Sequence, residues 1–85
     1  MNWNLVGFIK ASEYRQKILL NLNKGNKTPK ELKIKTGYYM SHISHTLKEL
    51  SEKGIVVCLT PELYRGKIYS LTELGKTIVS HLNTD

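Results

Sequence analysis

The chain has 85 residues, with 13 Lys and Arg against 7 Asp and Glu and a formal net charge of +6. That length suits one domain able to bury roughly 60 to 65% of the surface its unfolded form exposes, and no Pro-, Ser- or Gly-rich run divides it, so a single domain over residues 1–85 is expected. No apolar run approaches the roughly 18 to 20 residues that cross a bilayer, no leader precedes a cleavage site, and the single Cys58 excludes a disulfide framework. The expectation is a soluble, cytoplasmic protein with no membrane association, whose positive charge points to a polyanionic partner.

Trp3 to Lys10 is short and evenly apolar, and reads as a brief helix with an edge strand as the other option. Ser12 is placed to cap a second helix, in which Tyr14, Ile18, Leu19 and Leu22 recur at helical spacing until Lys24-Gly25. Thr28-Pro29-Lys30-Glu31 then combines a Thr cap, Pro at the first helical position and the Glu of a capping box. The short helix that follows, Pro29 to about Lys35, has only Leu32 and Ile34 as apolar residues, and Thr36-Gly37 ends it with a residue suited to positive φ.

A longer helix around Tyr39 to Lys53 carries Ile43, Leu47 and Leu50 on one face and Ser41, His42, His45 and Glu49 on the other, up to Gly54. Ile55 to Leu59 reads as a well-covered strand, Thr60 to Gly66 as a hairpin tip and Lys67 to Leu71 as an alternating second strand. Thr72 caps a last helix with Leu74, Ile78, Val79 and Leu82 on one side. The fold class is α+β, mostly α: a winged helix-turn-helix with a two-stranded wing and a C-terminal helix.

A short helix, a glycine turn and a longer amphipathic helix are the parts of a helix-turn-helix, and a basic hairpin immediately after it can reach phosphates or the minor groove. The sequence resembles the archaeal winged helix-turn-helix regulators related to the MarR and ArsR groups. The resemblance rests on Thr28-Pro29-Lys30-Glu31-Leu32, on Thr36-Gly37 followed by Ser41 to Leu50, on Lys53-Gly54-Ile55-Val56, and on Tyr69 to Gly75. It implies a transcriptional regulator of double-stranded DNA, by default a repressor, with Tyr39, Met40, Ser41, His42 and His45 as base-reading candidates. Serine hydroxyls pair with several base edges, and imidazole donates to guanine N7 or to phosphate oxygen. Lys30, Lys33, Lys35 and Lys48 are candidates for phosphate contacts, and Arg65 and Lys67 for the wing. Tyr38 lies on the Ile43 and Leu47 side and is assigned to the core. Many of the similar proteins carry a capping Ser or Thr and a basic residue where this chain has Tyr39 and Met40.

Other chemistries find little support. His42 and His45 stand three apart on a helix, but no thiolate cluster accompanies them, so no metal or other cofactor is expected. An enzyme is not expected, since there is no acid pair, no phosphate-binding glycine loop, and Cys58 sits in an apolar run. The competing reading is a winged helix used as a protein-interaction or RNA-binding module. Trp3, Leu5 and Phe8, with Ile78, Val79 and Leu82, exceed the apparent needs of one small core and predict a homodimer through the two ends. No small-molecule effector is evident.

Overall fold

The computed structural model describes residues 3–82. In chain order these form α1 (Trp3–Lys10), α2 (Glu13–Asn23), α3 (Pro29–Thr36), α4 (Met40–Glu52), β1 (Val56–Cys58), β2 (Tyr69–Leu71) and α5 (Glu73–Leu82). The opening segment is a helix, not an edge strand.

The helices begin where side chains take up orphan backbone donors. The Arg15 amide donates to Ser12 Oγ at the start of α2. At α3 the capping box is complete: the Glu31 amide donates to Thr28 Oγ1 at 3.2 Å, and the Thr28 amide to Glu31 Oε1 at 2.9 Å. This contact holds the exposed Glu31 carboxyl below its ordinary value, first through the backbone bond from Thr28 and then through its side chain. Thr72 serves α5 in the same way, accepting from the Gly75 amide at 3.1 Å while its hydroxyl donates back to the Gly54 carbonyl at 2.6 Å.

The turn between α3 and α4 depends on two residues. Gly37 takes the left-handed conformation at φ 75° and donates to the Lys33 carbonyl, a geometry that costs a residue with a Cβ roughly 1 to 2 kcal/mol. Thr36 Oγ1 donates to the Leu32 carbonyl at 2.7 Å and accepts from the Tyr38 amide at 3.2 Å, fixing the exit of the chain.

One core joins every element. Ile9 of α1, Ile18, Leu19 and Leu22 of α2, Leu32 of α3, and Ile43, Leu47 and Leu50 of α4 meet Ile55, Val56, Leu71, Ile78 and Val79. Burying each large aliphatic side chain contributes about 1.5 to 3 kcal/mol. Ile78 and Val79 are thus consumed by the domain's own core and are not spare surface, contrary to the expectation from sequence. Ile34 departs in the other direction: it is 72% exposed while Leu32 alone anchors α3.

The strands are shorter than the apolar runs that announced them. β1 and β2 pair antiparallel, with Val56 opposite Leu71, Val57 opposite Ser70 and Cys58 opposite Tyr69. Only one face of this ribbon packs on the helices, so Val57 and Leu59 are exposed and the strand is not well covered. A further antiparallel bridge joins Lys27 to Tyr69, with reciprocal backbone bonds of 3.1 and 2.9 Å. It pins β2 to the loop that leads into the helix-turn-helix. At the other end of β2, Gly75 of α5 lies against the Ile55 carbonyl oxygen so closely that a Cβ there would overlap it.

Candidate nucleic-acid interface

α4 turns Ile43, Thr46, Leu47 and Leu50 inward, which leaves Ser41, Ser44, His45 and Lys48 exposed. Those positions fall at i, i+3, i+4 and i+7, so they align as one stripe along the outer face of the helix. Ser44 was not among the residues singled out from sequence; its spacing from Ser41 and Lys48 was the signal that would have found it. Tyr39 is the N-cap residue, with extended backbone and no side-chain capping bond. Its ring is 76% exposed and stands 6.2 Å from the His42 ring. Met40 opens the helix at 38% exposure.

The hairpin and α3 close around the first turns of α4. A cleft of about 620 Å³ lies between them, lined by Thr28, Pro29, Lys30, Met40, Ser44, Tyr64, Arg65, Gly66, Lys67 and Tyr69. Its charged residues are all cationic, and its walls include two tyrosines, a proline and a methionine. The fold therefore brings Lys30 of α3 and Met40 of α4 together with Arg65 and Lys67 of the distant hairpin. Tyr64 is 92% exposed beside Arg65 and was not anticipated as part of the surface.

The remaining lysines are placed less uniformly. Lys33 is exposed on α3 one turn beyond Lys30 and shares its face. Lys35 is exposed too, but its charge acts on Glu31 at the i−4 position, so it lies around the helix from Lys30. Neither lines the cleft. Lys48 extends the stripe of α4 away from the wing.

His42 and His45 turn to different neighbours. The His42 ring stacks on Tyr14 of α2, with centroids 4.6 Å apart and 12° between planes. His45 Nε2 stands 3.7 Å from Glu49 Oε2. Among the described residues no group of three or more His, Cys, Asp or Glu is arranged to hold a metal ion. Tyr38 is half-buried, as expected of a core residue, and packs edge-on to Tyr14 at 4.5 Å.

Glu49 would oppose a polyanion on this face were it not already engaged. Arg15 donates from Nε to Glu49 Oε1 at 3.3 Å and from Nη2 to Oε2 at 3.1 Å. Its Nη1 donates to the Phe8 carbonyl at 2.8 Å, and its guanidinium lies 3.7 Å over the Phe8 ring. This clamp joins α1, α2 and α4. The hydrogen bonds from Arg15 hold the Glu49 carboxyl below its ordinary value of 4.5, against the opposing effect of burial.

A carboxyl whose folded-state pKa is depressed adds stability that is fully present above the ordinary value and is lost as pH falls through the depressed one. In urea unfolding from neutral to strongly acid pH, the wild type should therefore lose more stability below about 4.5 than Glu49→Gln does. Parallel acid limbs for the two proteins would show that the clamp carries no linkage.

A helix-turn-helix built on a short capped helix, an amphipathic second helix and a basic hairpin, closed by a final helix, defines the winged-helix class of transcription regulators. Residues 4–84 match the family described as the N-terminal domain of the methanogenesis regulatory protein FilR1, and the chain belongs to that family. No curated protein sequence matches this one closely enough to count as a relative.

Solved structures agree on the fold. A MarR family transcription regulator superposes with a TM-score of 0.79 at 26% identity, over 87% of this chain and 50% of its own. A MarR family regulator from Neisseria meningitidis gives 0.78 at 23% identity, over 93% of this chain and 57% of its own. The adhesin competence repressor from Streptococcus pyogenes gives 0.74 at 22% identity, over 92% of this chain and 64% of its own. The chain thus spans between half and two-thirds of the length of these structures. Family and fold are those of transcription regulators and not of enzymes, in keeping with the absence of a catalytic pattern in the sequence. No helix among the described residues is long and apolar enough to cross a membrane.

Proposed function

We propose that this domain binds double-stranded DNA in a sequence-specific manner, with α4 in the major groove and the hairpin between Thr60 and Lys67 as the wing on the adjacent backbone. The observation that carries this reading is the juxtaposition of the polar stripe Ser41, Ser44, His45 and Lys48 with the cleft whose charges are Lys30, Arg65 and Lys67. An α-helix fits the major groove, where serine and histidine edges discriminate bases. The cations beside it would set register on phosphates. In this reading Tyr39, Met40, Ser41, His42 and His45 face bases, and Lys33, Lys35 and Lys48 face the backbone. Repression, by occupying a site that polymerase needs, is the action proposed for a domain of this kind.

Fluorescence anisotropy with a labelled random-sequence duplex over a range of salt concentrations tests the reading. Log affinity should fall steeply with log salt, by about 0.9 for each phosphate neutralised. Absence of binding at low salt would abandon DNA in favour of a protein-interaction module.

A homodimer through α1 and the end of α5 is part of the same proposal. Trp3 is 64% exposed and meets His81 edge-on at 4.8 Å, which places an exposed aromatic where the two helices come together. Leu5 and Leu82 are half-buried against the core, whereas Phe8, also expected at this surface, is covered by the Arg15 guanidinium. Two half-sites read by a two-fold dimer would follow. Sedimentation that finds monomer alone at high micromolar concentration would remove the dimer while leaving the DNA reading in place.

A further inference from the structure

Tyr14 belongs to α2, outside the helix-turn-helix, and helical spacing assigned it to the apolar stripe of that helix. It is instead 37% exposed, and its ring lies nearly parallel to the His42 imidazole at 4.6 Å. Tyr38 backs the arrangement from the turn, edge-on to Tyr14 at 4.5 Å and 78°. The Tyr38 hydroxyl is buried and has no hydrogen-bond partner among the described residues, so what holds Tyr38 in place is its ring packing. His42 is therefore stacked on one face by a ring from α2, itself braced by Tyr38, before any DNA arrives, while Tyr39 stands farther off at 6.2 Å and tilted by 32°.

A stack occupies the face of an imidazole and leaves its edge free. The edge carries both nitrogens, which are the atoms that pair with guanine N7 or phosphate oxygen. An exposed histidine in the first turn of a helix would otherwise sample several rotamers, and ordering it on binding would weaken the contact. Stacked aromatic pairs are favourable beyond the area they bury, so Tyr14 supplies a definite preference for one ring plane.

We propose that Tyr14 is a positioning residue for base reading: by stacking on His42 from α2 it fixes the imidazole plane, so that the ring nitrogens enter the groove in one orientation. The inference rests on the DNA reading above. Tyr14 acts through His42 and touches no base itself. Specificity at one position of the DNA site is then set partly by a residue outside the recognition helix.

The test is enrichment of sequences from a random duplex pool by the full chain, comparing wild type, Tyr14→Phe, Tyr14→Leu, His42→Ala and the Tyr14→Leu/His42→Ala double variant. Wild type and Tyr14→Phe should enrich the same sequence, because the phenyl ring keeps the stack. Tyr14→Leu should lose about tenfold in discrimination at the base pair where His42→Ala loses it, the scale of one good base contact. The double variant should lose nothing more at that pair. In proton NMR without DNA, the His42 ring protons should be shifted upfield in wild type and Tyr14→Phe and released in Tyr14→Leu. Tyr14→Met serves in place of the leucine variant should the latter fail to fold.

Released ring protons with an unchanged enriched sequence would overturn the positioning role. So would a loss of preference in Tyr14→Leu at base pairs other than the one His42 reads, which would mark Tyr14 as merely structural. Unshifted ring protons in wild type would show that the stack is absent and overturn it as well. Wild type that enriches no sequence would overturn the DNA reading itself, whatever the ring protons do.

Discussion

Gly75→Ala is expected to lower the unfolding free energy by about 2 to 3 kcal/mol. Gly75 is buried in the first turn of α5, where that helix crosses the end of the Ile55 peptide, and a Cβ there would overlap the Ile55 carbonyl oxygen. The same Cβ would stand 3.3 Å from Leu71 Cβ and Cδ2, so it has no open side toward which to relax. The Ile55 oxygen cannot retreat freely, because it accepts from the Thr72 amide at 3.1 Å. Alanine brings a helix-propensity gain of about 1 kcal/mol over glycine. Overpacking against backbone in a well-filled core costs about 1 to 3 kcal/mol and occasionally more, and the absence of a flexible neighbour puts this site at or beyond the upper end. Set against a total stability of about 5 to 15 kcal/mol for a domain of ordinary stability, the loss is large. Urea unfolding should show a lower midpoint with an unchanged slope. An equal or higher midpoint would mean that α5 lifts away from Ile55 at little cost.

The second large effect concerns the cleft beside the wing. Changing Lys30, Arg65 and Lys67 together to Gln should weaken binding to a random duplex on the order of a hundredfold at low salt. It should also reduce the salt slope by about 2.7, at about 0.9 for each of three phosphate contacts. None of the three has a carboxylate among the cleft's lining residues, so removing them changes charge toward the ligand with little effect on the fold. Lys24 and Lys76 provide the control, since they line a separate cleft at the end of α2 with Asn26 and Ser70. Their replacement removes two charges against three and should leave the slope almost unchanged. If each set reduces the slope in proportion to the charges it removes, binding follows net charge alone and the cleft has no special standing.

Local signals in the sequence were sufficient wherever local chemistry decides the structure. The capping box at Thr28 and Glu31, the Ser12 and Thr72 caps, the left-handed turn at Gly37 and the Ile43, Leu47, Leu50 stripe all appear as the sequence predicts. What escaped depends on partners distant in the chain. Tyr14 fits the helical period of α2, but it sits at the helix start, where the core has given way to the edge of α4. Arg15 and Glu49 are 34 residues apart, and neither is distinguishable from a solvated charge until α2 and α4 are packed. The Lys27 to Tyr69 bridge is a single pair, too short to leave a period. The strands shrank because β-branched runs report apolar preference, whereas strand length is set by how far a partner extends. For the candidate site, the lysines and the α4 residues could be named from pattern, but their convergence with Arg65 on one cleft is a product of the fold.

The wing tip has a consequence for how such a protein can change over time. From Pro61 to Gly66 every residue is exposed, and the tip is fastened at its base by the Leu59 amide to the Ile68 carbonyl at 2.7 Å and the Ile68 amide to Thr60 Oγ1 at 3.0 Å. No core residue lies within it. Lengthening such a loop costs little, about 0.6 kcal/mol for a doubling, and substitutions there leave the helices undisturbed. If the wing grips a polyanion and α4 chooses sequence, as proposed, the two properties are heritable separately: the tip can be exchanged, shortened or recharged without renegotiating the interior, while α4 is bound by its buried face to a much narrower set of substitutions.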